Sequence, residues 1–294
     1  MDLGRVHVFF GDKSGKYPDG NQVIVHGREV TAAFDTPLVA NRIGPELDAV
    51  DLVILSHVHE DHMAGLHRLP EATVWVHEGD VDAARSWPGL ARHYGYDASV
   101  CEQLRDRIER QFHYQARPDA RAYRDGARWD LGGGVTVTAV HLPGHTRGHC
   151  ALLVEPDGVA FIGDIDLTGF GPYYGDATSS LADFRHSLSK VRELDVRYWV
   201  TSHHRGLIRE RAEFINQLEA FGAVLYVRER RLLDHLDDGP KTLDELVRLR
   251  LCYPPGADEL WIDAAERRAI SQHLEELVAC ARVEARPDGR FALL

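Results

Sequence analysis

Four side chains able to hold a metal ion fall within six residues of the segment SHVHEDHMAG: His57, His59, Asp61 and His62. In an extended segment, residues i and i+2 project to the same side, so His57 and His59 can share one ion; the turn that follows redirects Asp61 and His62 toward a second. That spacing supports a two-metal site. Further donors stand directly after apolar runs: Asp35 after EVTAAF, His145 within HLPGHTRGH, Asp164 after GVAFIG, and His203 with His204 after YWVTS. Such runs read as strands, and in a layered α/β sheet the loops at strand ends converge from distant parts of the chain. A carboxylate such as Asp164 can then bridge two ions. Asp35 either caps the turn before Pro37 or hydrogen-bonds a ligand histidine from behind, and the second role is favoured. His203 is favoured over His204 as the last ligand because it lies nearer the strand, leaving His204 free to face substrate. With 17 histidines in the chain, surface or core positions explain His7, His67, His186, His235 and His273 better than metal binding does. His141 and His149 are expected to orient or pack around the His145 loop.

The elements that must position these residues are legible as short apolar segments: RVHVFF, QVIVHG, EVTAAFD, LVILSH, TVWVH, VTVTAVHL, CALLVE, GVAFIGD and YWVTSH. Apolar positions recurring at three and four predict helices around residues 99–112 and 180–194. The interleaving predicts a mixed α/β class. Residues from about 84 to 129 show little strand pattern and are expected to be a helical insertion. After Gly206 helices dominate, and the closing RVEARPDGRFALL alternates around a Pro-Asp-Gly turn, predicting three helices and a hairpin. The domain expectation is therefore a unit over 1–207 and a helical, winged-helix-like module over 208–294.

Composition narrows the function classes. The 34 basic and 46 acidic residues give a net charge of −12, so no global positive field recruits nucleic acid or an anionic membrane. The four scattered cysteines lack the spacing of a Cys-ligated zinc site or a disulfide scaffold, which fits reduced thiols and a cytoplasmic protein. No run approaches a membrane span, and no secretory leader is evident at the start.

Asp35, the His57-x-His59-x-Asp61-His62 signature, His145, Asp164 and His203, taken in order, resemble the five motifs of the metallo-β-lactamase-fold hydrolases over about residues 1–207. The resemblance implies an αββα sandwich with its metals at one edge of the paired sheets. It further implies His57, His59 and His145 on one zinc, Asp61, His62 and His203 on the other, and Asp164 between them. The GHTRGH segment is similar to glyoxalase II and related branches. Two departures are Pro37, where the family usually has Gly, and the doubled histidine at 203 and 204. The tail resembles the winged-helix-like module of a group that includes endoribonucleases and thioesterases, but the residues with which glyoxalase II enzymes contact glutathione have no match.

The function expected from these readings is hydrolysis of a small ester, thioester or lactone, with Asp61 orienting hydroxide and taking its proton, and with two divalent ions as cofactors, zinc ahead of iron or manganese. Three alternatives remain. One is a metal-dependent endoribonuclease using the arginines of the insertion, although RDRIER alternates in sign like a solvated helix face. Another is iron-dependent oxygen chemistry on the same fold, and the third is a non-catalytic binding protein stabilised by its metals. The expected partner is a small-molecule substrate, with no membrane, nucleic acid disfavoured, and the tail packing on the core or mediating a homodimer.

Overall fold

A computed structural model describes all 294 residues. Two sheets face each other. The first has seven strands in sequence order: β1 (Asp2–Leu3), β2 (Val6–Phe9), β3 (Gln22–His26), β4 (Thr31–Phe34), β5 (Leu52–Ile54), β6 (Thr73–His77) and β7 (Arg121–Tyr123). Neighbours from β1 to β4 are antiparallel, and those from β4 to β7 are parallel. The second sheet has six: β8 (Arg128–Gly132), β9 (Val135–His141), β10 (Cys150–Glu155), β11 (Val159–Phe161), β12 (Tyr198–Val200) and β13 (Leu207–Ile208), with β11 and β12 its one parallel pair.

Alternation along the strands builds the interior. One face of the first sheet, with Val23, Val25, Phe34 and Ile54, packs on Val137, Leu152, Val154 and Phe161 of the second. The opposite face of the first sheet, through Ile24, Val53, Leu55 and Val74, carries a helical layer. Its main helices are α4 (Trp87–Tyr94) and α5 (Ala98–Gln111), which follow the short helical turns α1 (Asp12–Gly15), α2 (Pro45–Asp48) and α3 (Val81–Arg85). The outer face of the second sheet, including Ala160 and Trp199, is covered by α6 (Leu181–Arg192) and the first half of α7 (Arg211–Asp237). The order is therefore α, β, β, α, as expected.

Two features refine the sequence reading. The stretch 84–129 is helical only to Gln111; its end supplies β7, an edge of the first sheet, and the start of β8, an edge of the second. Edge strands so short leave almost no alternation to read. The long α7 serves two cores: Phe214, Leu218 and Phe221 pack on the sandwich, while Leu232 and Leu236 join α8 (Leu243–Leu249) and α9 (Ile262–Ala279). A three-stranded sheet closes the chain, with β14 (Lys241–Thr242) and β15 (Val283–Ala285) flanking β16 (Arg290–Leu293), and its hairpin turns at Gly289 with φ +79°. No helix is long and apolar enough to cross a membrane.

Candidate metal centre and cavity

The C-terminal ends of β4, β5, β11 and β12 deliver Asp35, His57, Asp164 and His203 to one edge of the sandwich. Of the donors singled out by sequence, His57, His59, Asp61, His62, His145, Asp164 and His203 all meet there, and six of the seven are buried, Asp164 being partly so. They form two clusters. In one, His57 Nε2, His59 Nδ1 and His145 Nε2 lie 3.1–3.2 Å from one another. Tetrahedral donors about 2.0 Å from a zinc ion would be separated by about 3.3 Å, so this triangle has the size of a coordination face. In the other, His203 Nε2 is 3.0 Å from Asp61 Oδ2, which lies 3.7 Å from His62 Nε2. Asp164 stands between: its Oδ2 is 3.3 Å from His145 Nε2, and its Oδ1 is 3.2 Å from His62 Nε2.

The donor set fits divalent ions. His62 Nε2 and Asp164 Oδ1 are buried without a hydrogen-bond partner, an arrangement that costs free energy unless a cation draws on both lone pairs. Burial opposes ionisation of Asp164, yet His203, His62 and His57 around it hold its carboxyl well below the usual range. Burial likewise opposes charge on His203, but Asp164 and Asp61 push it up to about 10, which marks a local demand for positive charge. Burial pushes His145 down to about 4, so it stands neutral, the form that ligates.

Behind each ring a second contact fixes which nitrogen faces the site. His62 Nδ1 donates to Asp35 Oδ2 at 2.8 Å, and Asp35 also accepts from the Ser56 amide and hydroxyl. Asp35 therefore holds a histidine from behind, and it does so with φ +52°, a left-handed backbone that Asp tolerates better than most residues. His145 Nδ1 donates to the Tyr173 carbonyl at 3.0 Å, and His203 Nδ1 reaches the carbonyls of Gly15 and Asp19, each at 2.9 Å. His149 accepts from the Asp164 amide at 3.1 Å, which sets the approach of that carboxylate. His141 stacks on His77, with centroids 4.1 Å apart.

Sequence reasoning missed Asp176. Its Oδ2 accepts from His59 Nε2 at 2.7 Å, and its Oδ1 accepts from the hydroxyls of Tyr96 and Tyr173. The signal was present as the carboxylate ending GFGPYYGD, but it lies in a loop rather than at a strand end. Of the aromatics in that segment, Tyr173 faces the site, whereas Tyr174 is buried and bonded to His273.

A cavity of about 470 Å³ opens on this centre, reaching His59, Asp61, His145, Asp164 and His203. Its walls come from three parts of the chain: Tyr94, Tyr96 and Phe112 from the helical layer, Phe170 and Tyr173 from the loop after β11, and Tyr253 and Trp261 from the C-terminal region. His204 and Arg107 also line it. Glu60 braces one wall by accepting from the hydroxyls of Tyr17 and Tyr94. The C-terminal helices clamp these walls through arginines: Arg268 of α9 donates to the carbonyls of Tyr94, Gly95 and Gly175, and the buried Arg228 of α7 donates to those of Phe170 and Pro172.

A sandwich of this layering, with histidines and aspartates converging on one sheet edge, defines a class of metal-binding hydrolases. The chain belongs to the metallo-beta-lactamase superfamily, whose model matches residues 27–203, and it is a metallo-hydrolase. It is similar to a hydroxyacylglutathione hydrolase of Methylococcus capsulatus, 27% identical over 237 residues and covering 78% of each chain. Acyl-coenzyme A thioesterase MBLAC2 of Homo sapiens is 31% identical over 155 residues, which is 49% of this chain and 50% of that one. Among solved structures, a metallo-beta-lactamase family protein from Thermus thermophilus aligns with TM-score 0.70 at 24% identity, covering 99% of both chains. A beta-lactamase domain protein from Burkholderia ambifaria aligns at TM-score 0.66 and 19% identity, over 99% of this chain and 93% of that one. These two share the fold.

Proposed function

We propose that the protein is a dinuclear hydrolase, with zinc as the expected metal, that cleaves acyl thioesters carrying an apolar acyl group. The observation that carries this reading is the aromatic-walled cavity of about 470 Å³ opening directly on the Asp164-centred donors. Its volume suits a small-molecule ligand, and its lining suits an aliphatic or aromatic acyl chain rather than a polymer track. The relatives named for hydroxyacylglutathione and acyl-coenzyme A, both acylated thiols, favour a thioester over an oxyester or lactone.

In this reading His57, His59 and His145 would hold one ion and Asp61, His62 and His203 the other, with Asp164 within reach of both. When bound, the ions polarise the acyl carbonyl and bring the pKa of water toward neutrality. Asp61 orients the attacking water and holds its proton at a carboxylate oxygen. The aromatic wall fixes the acyl chain and excludes bulk water, and His204 contacts the thiol half. We take residues 1–207 as the catalytic unit and 208–294 as a helical, winged-helix-like module that completes the cavity.

An RNA substrate is disfavoured because four of the insertion's arginines are drawn to carboxylates. Arg105, Arg107, Arg117 and Arg124 each meet a carboxylate, on Glu109, Glu259, Asp119 and Glu78 respectively. The test is a panel of acyl thioesters, matched oxyesters, lactones and single-stranded RNA offered to the metal-loaded protein and to its His59→Ala variant. Thioester hydrolysis that vanishes in the variant is expected. Metal-dependent RNA cleavage with intact thioesters would overturn the reading.

A further inference from the structure

Three donors outside the centre face one another at the opposite end of the first sheet. β2 carries His7, β3 ends at His26, and α2 carries Glu46. His7 Nδ1 is 2.9 Å from Glu46 Oε1, His26 Nε2 is 3.8 Å from the same oxygen, and all three atoms lie within 4.8 Å of one another. The two imidazoles stand edge to face, with centroids 4.7 Å apart and planes at 75°. Strand pairing fixes this arrangement. Val6 is opposite Val25, which makes His7 and His26 diagonal neighbours across β2 and β3. On the far side of His7, β1 sets Asp2 directly opposite, with its Oδ1 3.7 Å from His7 Nδ1.

We propose that His7, His26 and Glu46 form a separate binding site for a divalent transition-metal ion such as zinc or nickel. Two imidazoles and one carboxylate are a donor set these ions favour over calcium or magnesium. The side chains are 29%, 32% and 42% exposed, so water completes the coordination and the ion exchanges with solvent. The site is spatially distinct from the centre. His26 pairs with Thr31 at the start of β4, whereas Asp35 follows that strand's other end, about 13 Å away at the usual rise per residue. An ion held there would tie strands β2 and β3 to α2, and it would stabilise the folded chain because the unfolded chain does not bring these donors together.

The proposal is tested by titrating zinc into protein whose centre is already loaded, following heat, bound metal by mass spectrometry and melting temperature. One further ion, held more weakly than those of the centre, is expected to bind with a rise in melting temperature. Both the extra ion and the rise should disappear in His7→Gln/His26→Gln and in Glu46→Gln, the latter leaving the strands untouched, while hydrolytic activity stays at the wild-type level. A His62→Ala variant, altered only in the centre, should keep the outer binding step. Equal metal content, affinity and thermal shift in the wild type and in both outer-site variants would overturn the assignment.

Discussion

Asp176 touches the donor cluster at His59, and that makes its role measurable. Its carboxylate takes the Nε2 proton of His59, which leaves Nδ1 as the donor toward His57 and His145. Asp176→Asn keeps the shape but offers an amide where a carboxylate stood, so the affinity for metal at the His57, His59 and His145 cluster should fall roughly 10–100-fold. Competition with a chromophoric chelator measures this, and an unchanged affinity would show that the contact is packing alone. A sharper ranking separates the paired histidines. His203 is buried beside Asp61, while His204 lies partly buried on the cavity wall. His203→Ala should therefore lower bound metal, and His204→Ala should leave metal content intact and raise KM. The donors at strand ends were legible because one residue type in one position repeats along the chain. Asp176 was not, because it meets His59 from 117 residues away and from a loop without periodicity.

Elements that read as an appended tail contribute to the cavity directly. Apolar periodicity placed α5 and α6 to within a residue or two and found the strands that end in ligands. It could not reveal that Tyr253 and Trp261 would face a centre built from residues 35–203, since that contact depends on how α7 and α9 pack across the second sheet. Arg268 is the clearest handle on this coupling, because its guanidinium gathers carbonyls from two separate walls, at Tyr94 and Gly175. Arg268→Met should raise KM for an apolar thioester more than it lowers kcat, at a stability cost of about 2 kcal/mol from the lost charge-assisted bonds. A fall in kcat with unchanged KM, read from steady-state kinetics, would place its effect at the centre instead.

At the scale of the whole molecule, the junction between the sandwich and the C-terminal helices carries a pH dependence of its own. His273 of α9 is fully buried against Tyr174, whose hydroxyl lies 2.8 Å from its Nε2. Burial, reinforced by Arg185 and Arg228, pushes its pKa down from 6.5 to about 3. The folded protein therefore keeps this ring neutral over a range in which the unfolded chain takes up a proton. The unfolded state binds the extra proton between pH 6.5 and pH 3, so stability falls as pH drops through that window, at up to about 1.4 kcal/mol per pH unit from this group, and the contribution is complete above 6.5. His273→Gln, which offers an amide of similar reach to Tyr174, removes this titration. Denaturant midpoints measured from about pH 7.5 down to about pH 4.5 should then show the wild type losing stability faster than the variant, with the two curves converging as the pH falls. Parallel curves would mean that the acid sensitivity resides in the other buried histidines, such as His149 beside the metal centre.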